Sequence, residues 1–327
     1  MIVKKIIGYE LKKILITGCF GFIGSHWIEY LLNKKKYQVT GIDIKDLPKN
    51  FKKNKNFTYK KISIFEDKKI ENLIKKNDYI FHFAAIPTPD SYISEPIKVL
   101  DITSIQAIKI VKLCSKYKKI IFFTSTSEIY GKNPNVPYSE NSNRVLGSTD
   151  VDRWCYSSSK ALVEHYIKAY AKHKNLKYVI FRLFNIYGPN LRGRVLDKFI
   201  NKALKNQTIQ INGKGAQTRC FLEVSDCMDA FYKVFYNKKN LNKTFNVGTD
   251  TQTTILELAN KIIKLTNSKS VIKYKSYKLL SKTGYEDMFL RVPDPSFLFS
   301  VTNWKPKINL DEGLKKMIKS IKKNYVI

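Results

Sequence analysis

No two of the five cysteines (Cys19, Cys114, Cys155, Cys220, Cys227) stand as a CxxC pair, and their number is odd. That argues against a disulfide framework and against a structural zinc site, and it suits a reducing cytoplasm. No metal is expected. No apolar run approaches the roughly 18 residues that a membrane span needs. The opening MIVKKIIGYELKK is too broken by Lys and Glu to supply the apolar region of a secretory signal. A cytoplasmic protein with no membrane span is the expectation. Internal repeats and low-complexity linkers are also missing.

Acidic residues are scarce as well, 27 against 59 basic ones, for a formal charge of +32. Such a balance first suggests nucleic acid or an anionic surface. Only seven of the basic residues are Arg (144, 153, 182, 192, 194, 219 and 291). Base-reading proteins lean on Arg forks and local patches. Here Lys is spread along the chain among Ile, Asn, Tyr and Phe, as solvated faces are under a compositional bias. No nucleic-acid partner is expected. The few Arg are candidates for a phosphate-bearing small ligand.

What is present is a core. The chain is 43% apolar and 13% aromatic over 327 residues, too rich to stay disordered. In the first half, short apolar strands at 13–17, 39–43, 57–64, 79–85, 119–125 and 178–184 alternate with helical patterns at 22–32, 68–76, 97–116 and 156–173. Wholly apolar strands between amphipathic helices predict a sheet buried on both faces. The second half carries helical patterns at 195–204, 226–236, 255–266 and 313–323, while Pro293 and Pro295 break any element near them. The expected fold class is α/β, a Rossmann-type doubly wound parallel sheet with a smaller, mixed C-terminal substrate-binding lobe. The first unit would cover 1–185 and the second 186–327, with parts such as 240–265 returning to the first. A ligand cleft would lie between them.

Directly after the first strand runs Gly18-Cys19-Phe20-Gly21-Phe22-Ile23-Gly24. A glycine-rich turn from strand to helix lets backbone approach a pyrophosphate, and the helix start offers N–H groups and a favourable dipole. The GxxGxxG spacing is a variant of the dinucleotide fingerprint. Asp43 ends the next strand, 19 residues after Gly24. A carboxylate there can take both ribose hydroxyls and would repel a 2′-phosphate, so NAD is expected rather than NADP. The competing reading is a structural turn with a helix-capping Asp.

Tyr156 and Lys160 lie four apart on a helical pattern and so face the same way. A tyrosine with a pKa near 10 is a poor base, and a neighbouring ammonium lowers that value. The pair could then take a proton from a sugar hydroxyl while hydride leaves the same carbon. TSTSEIYG (124–131) follows an apolar strand, at the sheet end where ligands bind in open α/β folds. Thr126 can hydrogen-bond the reacting oxygen, and Ser127 and Glu128 point to the same crevice. Ser127 could equally be a capping hydroxyl, and Glu128 a surface ion pair.

These motifs resemble the extended short-chain dehydrogenase/reductase family of nucleotide-sugar epimerases, dehydratases and decarboxylases. The likeness runs from Lys13 to about Lys323. TGCFGFIG, HFAA (82–85), TSTSEIYG, YSSSK (156–160), RLFNIYGP (182–189), GKGAQTRCF (213–221), FNVG (245–248) and NWKPKINLDEGL (303–314) stand in family order. The resemblance implies an NAD-dependent enzyme that oxidises a sugar at C4, with a nucleotide-diphosphate sugar, UDP-linked, as substrate. Thr126, Tyr156 and Lys160 would form the catalytic trio. Cofactor contacts would come from the glycine loop, Asp43, Ser63, Ile64, Ala84 and Ala85 together with Tyr156 and Lys160. At Ser63 the family often has Asp against adenine, so one of those contacts departs from the pattern. Asn185 would meet sugar or phosphate, Arg194 and Val195 would line the nucleotide pocket, and Arg219 would pair with the diphosphate. Family members dimerise through two helices. The face Leu162, Tyr166, Ala169 and Tyr170 would suit a homodimer, though core packing explains it equally well.

The branches differ after oxidation. Dehydratases carry Asp-Glu where this chain has Ser127-Glu128, which counts against dehydration. Arg153–Lys160 and Gly284–Arg291 resemble the UDP-glucuronate decarboxylase of bacterial aminoarabinose synthesis. There Glu128 and Arg291 would be the acid/base pair around the reacting carboxylate, and Tyr285 would lie by the uracil. Arg291 could instead serve a lobe-to-lobe ion pair or a diphosphate contact. The expected activity is UDP-glucuronate decarboxylation, with a UDP-sugar 4-epimerase as the alternative. A non-catalytic NAD- or nucleic-acid-binding protein is the remote third reading.

Overall fold

The computed structural model describes residues 11–48, 51–276, 286 and 288–325. Seven strands build one parallel sheet. They are β1 (Lys12–Thr17), β2 (Tyr37–Asp43), β3 (Phe57–Lys61), β4 (Tyr79–His82), β5 (Ile120–Thr126), β6 (Lys177–Leu183) and β7 (Lys243–Val247), in the order β7-β6-β5-β4-β1-β2-β3. The order turns back on itself between β1 and β4, so a crevice opens there at the strand C-termini.

Alternation along each strand fills two cores. On one face Ile14, Ile16, Phe81, Phe122, Phe181 and Phe245 pack with Trp27 and Leu31 of α1 (Phe22–Lys34) and with Phe231 and Phe235 of α6 (Val224–Tyr236). On the other, Leu15, Ile42, Ile80, Ile121, Phe123 and Ile180 pack on α2 (Asp67–Lys76), α3 (Ala107–Lys116) and α4 (Trp154–Lys174). Each fully buried side chain of this size contributes about 1.5–3 kcal/mol. A separate cluster joins α5 (Val195–Leu204), α7 (Ile255–Thr266) and α8 (Leu310–Tyr325) around Ile200, Leu258 and Met317.

Several elements differ from the sequence pattern. β3 stops at Lys61, because Ser63 N donates to Glu66 Oε1 (2.8 Å) and turns the chain. β4 stops at His82, and Phe83 N then donates to Thr17 O at the end of β1 (3.1 Å). The pattern at 97–116 is helical but passes through a π segment, Asp101–Gln106. A helix, Ser296–Thr302, starts directly after Pro295, so the prolines set its beginning rather than abolish it. β7 was not expected as a strand; it pairs in parallel with β6, so the chain from the second half re-enters the sheet. Among the described residues, no helix is long and apolar enough to cross a membrane.

Candidate functional site

The glycine loop links β1 to α1. Gly18 has φ +65°, and a Cβ there would come 2.7 Å from Ala84 N. A Cβ on Gly24 would come 2.4 Å from Gly18 O. Backbone thus packs on backbone where a side chain has no room. Gly21 caps α1 without a side-chain hydrogen bond, and the first turn holds no acidic residue. Phe20 N donates to Asp43 Oδ2 (2.9 Å) and Lys45 N to Asp43 Oδ1 (3.1 Å), which holds that carboxylate at the loop. Lys45 Nζ is turned back onto Phe20 O. Phe22 and Ile23 open the helix, half-buried. Ala84 and Ala85 lie just beyond β4, and Ala84 N approaches Thr17 Oγ1 (3.4 Å). Ser63 and the half-buried Ile64 sit in the turn after β3. This cradle and its carboxylate fit the pyrophosphate and ribose of a dinucleotide.

At the end of β5, Thr126 Oγ1 accepts from Glu128 N (3.2 Å) and caps the short 3-10 turn Ser127–Tyr130. Ser127 Oγ is buried with no hydrogen-bond partner among the described residues, so the sequence alternative of a capping hydroxyl falls to Thr126 instead. Glu128 is buried, not at the surface. Its Oε1 meets Arg291 (3.4 Å), and its Oε2 faces Arg153 (3.9 Å). Burial alone would push the Glu128 carboxyl up; Arg153, then Arg291, Arg194 and Arg219 outweigh it and hold the group below its ordinary value.

Tyr156 is buried on α4 and its ring stacks on Tyr92 (centroids 4.8 Å apart, 9° between planes). Lys160 lies one turn on, fully enclosed, with Nζ donating to Thr124 O at 2.7 Å and lying 4.5 Å from the Phe123 ring centroid. The expected ammonium effect on the phenol is not seen in this state. Burial and then Glu128 raise the Tyr156 phenol, against Arg194 and Arg291. Burial also lowers Lys160 to about 7, opposed by Glu164. A desolvated phenol and a desolvated amine each avoid charge. His82, buried and 2.8 Å from Thr17 Oγ1 through Nδ1, is lowered to about 3 by burial and then by Lys160.

Arg291 reaches Asn185 Oδ1 (3.2 Å) as well as Glu128, and Asn185 takes φ +42° and donates through Nδ2 to Cys220 O (3.2 Å). The structure therefore gathers Thr126, Ser127, Glu128, Tyr156, Lys160, Asn185 and Arg291 about the end of β5. Arg194 caps α5 and donates to Pro87 O, with Val195 beside it. Arg219 donates to Thr218 O (2.7 Å). Tyr285 lies outside the described residues. Arg182, read as a ligand candidate, is instead consumed inside the fold by Glu164 (2.7 Å) and Tyr130.

Spacing assigned no role to Arg153, Tyr92 or His82. Arg153 stands three residues before Tyr156, ahead of the helical pattern at 156–173, and local spacing gave no sign of its contact with Glu128. Tyr92 reaches the site from the short helix Pro89–Ser94, and nothing in the local sequence announces it. Among the described residues, no group of three or more His, Cys, Asp or Glu is arranged to hold a metal ion.

The family model described as the NAD dependent epimerase/dehydratase family matches residues 14–248. The bifunctional polymyxin resistance protein ArnA of Wigglesworthia glossinidia brevipalpis is 36% identical over 97% of this chain, which spans 52% of that protein's length. A UDP-N-acetyl-alpha-D-glucosaminuronate decarboxylase of Bacillus cytotoxicus is 33% identical over 94% of the chain and 97% of its own. The crystal structure of a UDP-glucuronic acid 4-epimerase from Bacillus cereus, in complex with UDP-glucuronic acid and NAD, superposes with a TM-score of 0.83. It is 25% identical and covers 96% of this chain and 100% of that one. With a glycine cradle and a Tyr-Lys pair at the mouth of a parallel sheet, this chain belongs to the NAD dependent epimerase/dehydratase family, and its cofactor is NAD.

Proposed function

We propose that the chain is a UDP-uronate decarboxylase that oxidises the sugar at C4 and releases C6 as carbon dioxide. The reading rests most on Arg291, a buried guanidinium within 3.4 Å of Glu128 beside Tyr156. A neutral sugar has no group that needs a cation there. A uronate has its carboxylate. The names of the decarboxylase relative and of the epimerase structure support a UDP-linked sugar, and both include a uronate.

Bound NAD supplies the hydride acceptor and a positive charge in the pocket. Gly18, Gly21 and Gly24 would hold its pyrophosphate and Asp43 its ribose hydroxyls. Tyr156 would take the proton of the 4-hydroxyl, with Thr126 holding the oxygen and Lys160 offsetting the phenolate. The resulting 4-keto sugar is a β-keto acid. Its C5–C6 bond breaks with the electron pair passing to the C4 oxygen, where Thr126 and the reprotonated Tyr156 would stabilise the enolate. A proton then returns to C5. Arg291 would orient the C6 carboxylate, and Glu128 would manage the proton near it. Asn185, Arg194, Val195 and Arg219 would hold the nucleotide and diphosphate. The working assembly in this reading is a homodimer formed through the layer that contains α4.

Arg291→Ala and Glu128→Gln test the assignment. Loss of one partner from a buried hydrogen-bonded charge pair costs about 2–5 kcal/mol. With UDP-glucuronate, carbon dioxide release falls in both variants while NADH still forms. If Arg291→Ala only raises KM and leaves kcat for carbon dioxide release unchanged, Arg291 is a binding group and the assignment fails.

A further inference from the structure

Two arginines flank Glu128, and they come from distant parts of the chain. Arg153 precedes the catalytic helix α4, and Arg291 follows Glu286 by five residues. Among the described residues, Glu286 links the two segments. Trp154 Nε1 donates to Glu286 Oε2 at 3.0 Å, and Lys132 Nζ pairs with the same oxygen at 3.1 Å. The Trp154 side chain is buried, while Glu286 and Lys132 are partly open to solvent. Gly147 leaves the space: a Cβ there would come 2.3 Å from Trp154 Nε1 and 2.8 Å from Glu286 Oε2.

Beyond Glu286 the segment is tied down again. Thr218 N donates to Phe289 O (3.3 Å), Tyr138 N to Val292 O (2.8 Å) and Asp294 N to Tyr138 O (2.8 Å). Met288 is buried, with Sδ 3.3 Å from Arg291 Nη2. Glu286 is thus the described anchor on the side of Arg291 that faces the catalytic helix.

We infer that Glu286 is a positioning residue: by clamping Trp154 and Lys132 it fixes the spacing of Arg153 and Arg291 about Glu128. In this role it would act through the arginines and not on the substrate itself. The inference rests on the decarboxylase reading for its effect on chemistry, but the clamp itself can be tested without that reading. Glu128 is faced by Arg153, Cys155 and Tyr156 from α4 and its start, by Tyr92, and by Arg194, Arg219 and Arg291. Of the four arginines, the two nearest, Arg153 and Arg291, are the ones on the clamped segments. Loosening them removes positive charge from the carboxylate, so its affinity for a proton rises.

The experiment compares Glu286→Ala, Gly147→Ala and Glu286→Gln with the parent enzyme. The first readout is the pH profile of carbon dioxide release from UDP-glucuronate. The second is hydrogen exchange of the backbone amides at 288–294. Glu286→Ala and Gly147→Ala slow release about ten- to a hundredfold, as an ångström-scale displacement of a catalytic group does. Their acid limb moves up by about one pH unit. Glu286→Gln retains an acceptor for Trp154 and keeps most of the rate. NAD affinity holds in all three, and amide exchange quickens in the two Ala variants. A slower rate with an unmoved acid limb, or a wild-type profile in Glu286→Ala, overturns the inference. If the parent enzyme releases no carbon dioxide, the decarboxylase reading fails by itself. Exchange then decides the clamp: faster in Glu286→Ala supports it, unchanged defeats it.

Discussion

At the scale of single residues, the site is a set of groups kept from charge by burial and returned to it by neighbours. Glu128 is held ionised by arginines, whereas Tyr156 and Lys160 are both pushed toward neutrality. Lys160 gives a test in the cofactor-free protein. Its folded value, about 7, lies below the 10.5 of a free lysine. Between those values the unfolded chain binds more protons, so stability rises with pH, by at most about 1.4 kcal/mol per unit for one proton. Below pH 7 the term is flat and the burial cost is fully present. Urea unfolding from pH 6 to 10 will show wild type gaining on Lys160→Met across that window. Parallel curves for the two proteins would mean the ammonium is not desolvated as the packing implies.

At the scale of elements, the first half of the fold was legible because strand and helix periods are plain there. KILIT, VTGID and KIIFFTS are short apolar runs with helical patterns between them. β7 was not legible as a strand. Its five residues are framed by polar ones, and its place depends on pairing with β6, some 60 residues away. The glycine loop and the Tyr156–Lys160 pair could be read from local spacing. Arg153 against Glu128, and the stacking of Tyr92 on Tyr156, could not, since each contact joins separate elements. Arg182 shows the same limit from the other side: tertiary contacts took a residue that looked available for a ligand. It bonds Glu164 on α4 through Nε and Nη2, Tyr130 Oη, and Glu140 O. Tyr130 in turn donates to Asn246 Oδ1 on β7 (2.8 Å). This network joins the turn after β5 to β6, β7 and α4. Arg182→Met leaves Glu164 buried without its cation and costs about 3–5 kcal/mol of stability. Chemical denaturation checks this. A loss under about 1 kcal/mol would place the pair at the level of a surface bridge.

At the scale of the whole molecule, the net charge is +32; among the described residues the lysines other than Lys160 stay out of the core, and Arg153, Arg182 and Arg291 are drawn inward at Glu128 and Glu164. On the helical layer, Ile105 and Leu162 are 49% and 43% exposed, while Tyr166 and Tyr170 pack partly on the core. The expected face is therefore shared between core and surface, and its open part is what the proposed homodimer would cover. Ile105→Glu combined with Leu162→Glu converts such a dimer to monomer in sedimentation velocity. An unchanged sedimentation coefficient would remove this face from the assembly.

The central claim concerns what happens after C4 is oxidised, and product mass decides it. Purified wild-type protein is incubated with NAD and, in separate reactions, UDP-glucuronate, UDP-N-acetylglucosaminuronate and UDP-glucose. The account predicts a product that has lost C6 as carbon dioxide, and two hydrogens more where the hydride leaves as NADH, from at least one of the two uronates, and no change in UDP-glucose. Uronates that keep their mass, together with conversion of UDP-glucose to UDP-galactose, would contradict it and make the chain a 4-epimerase.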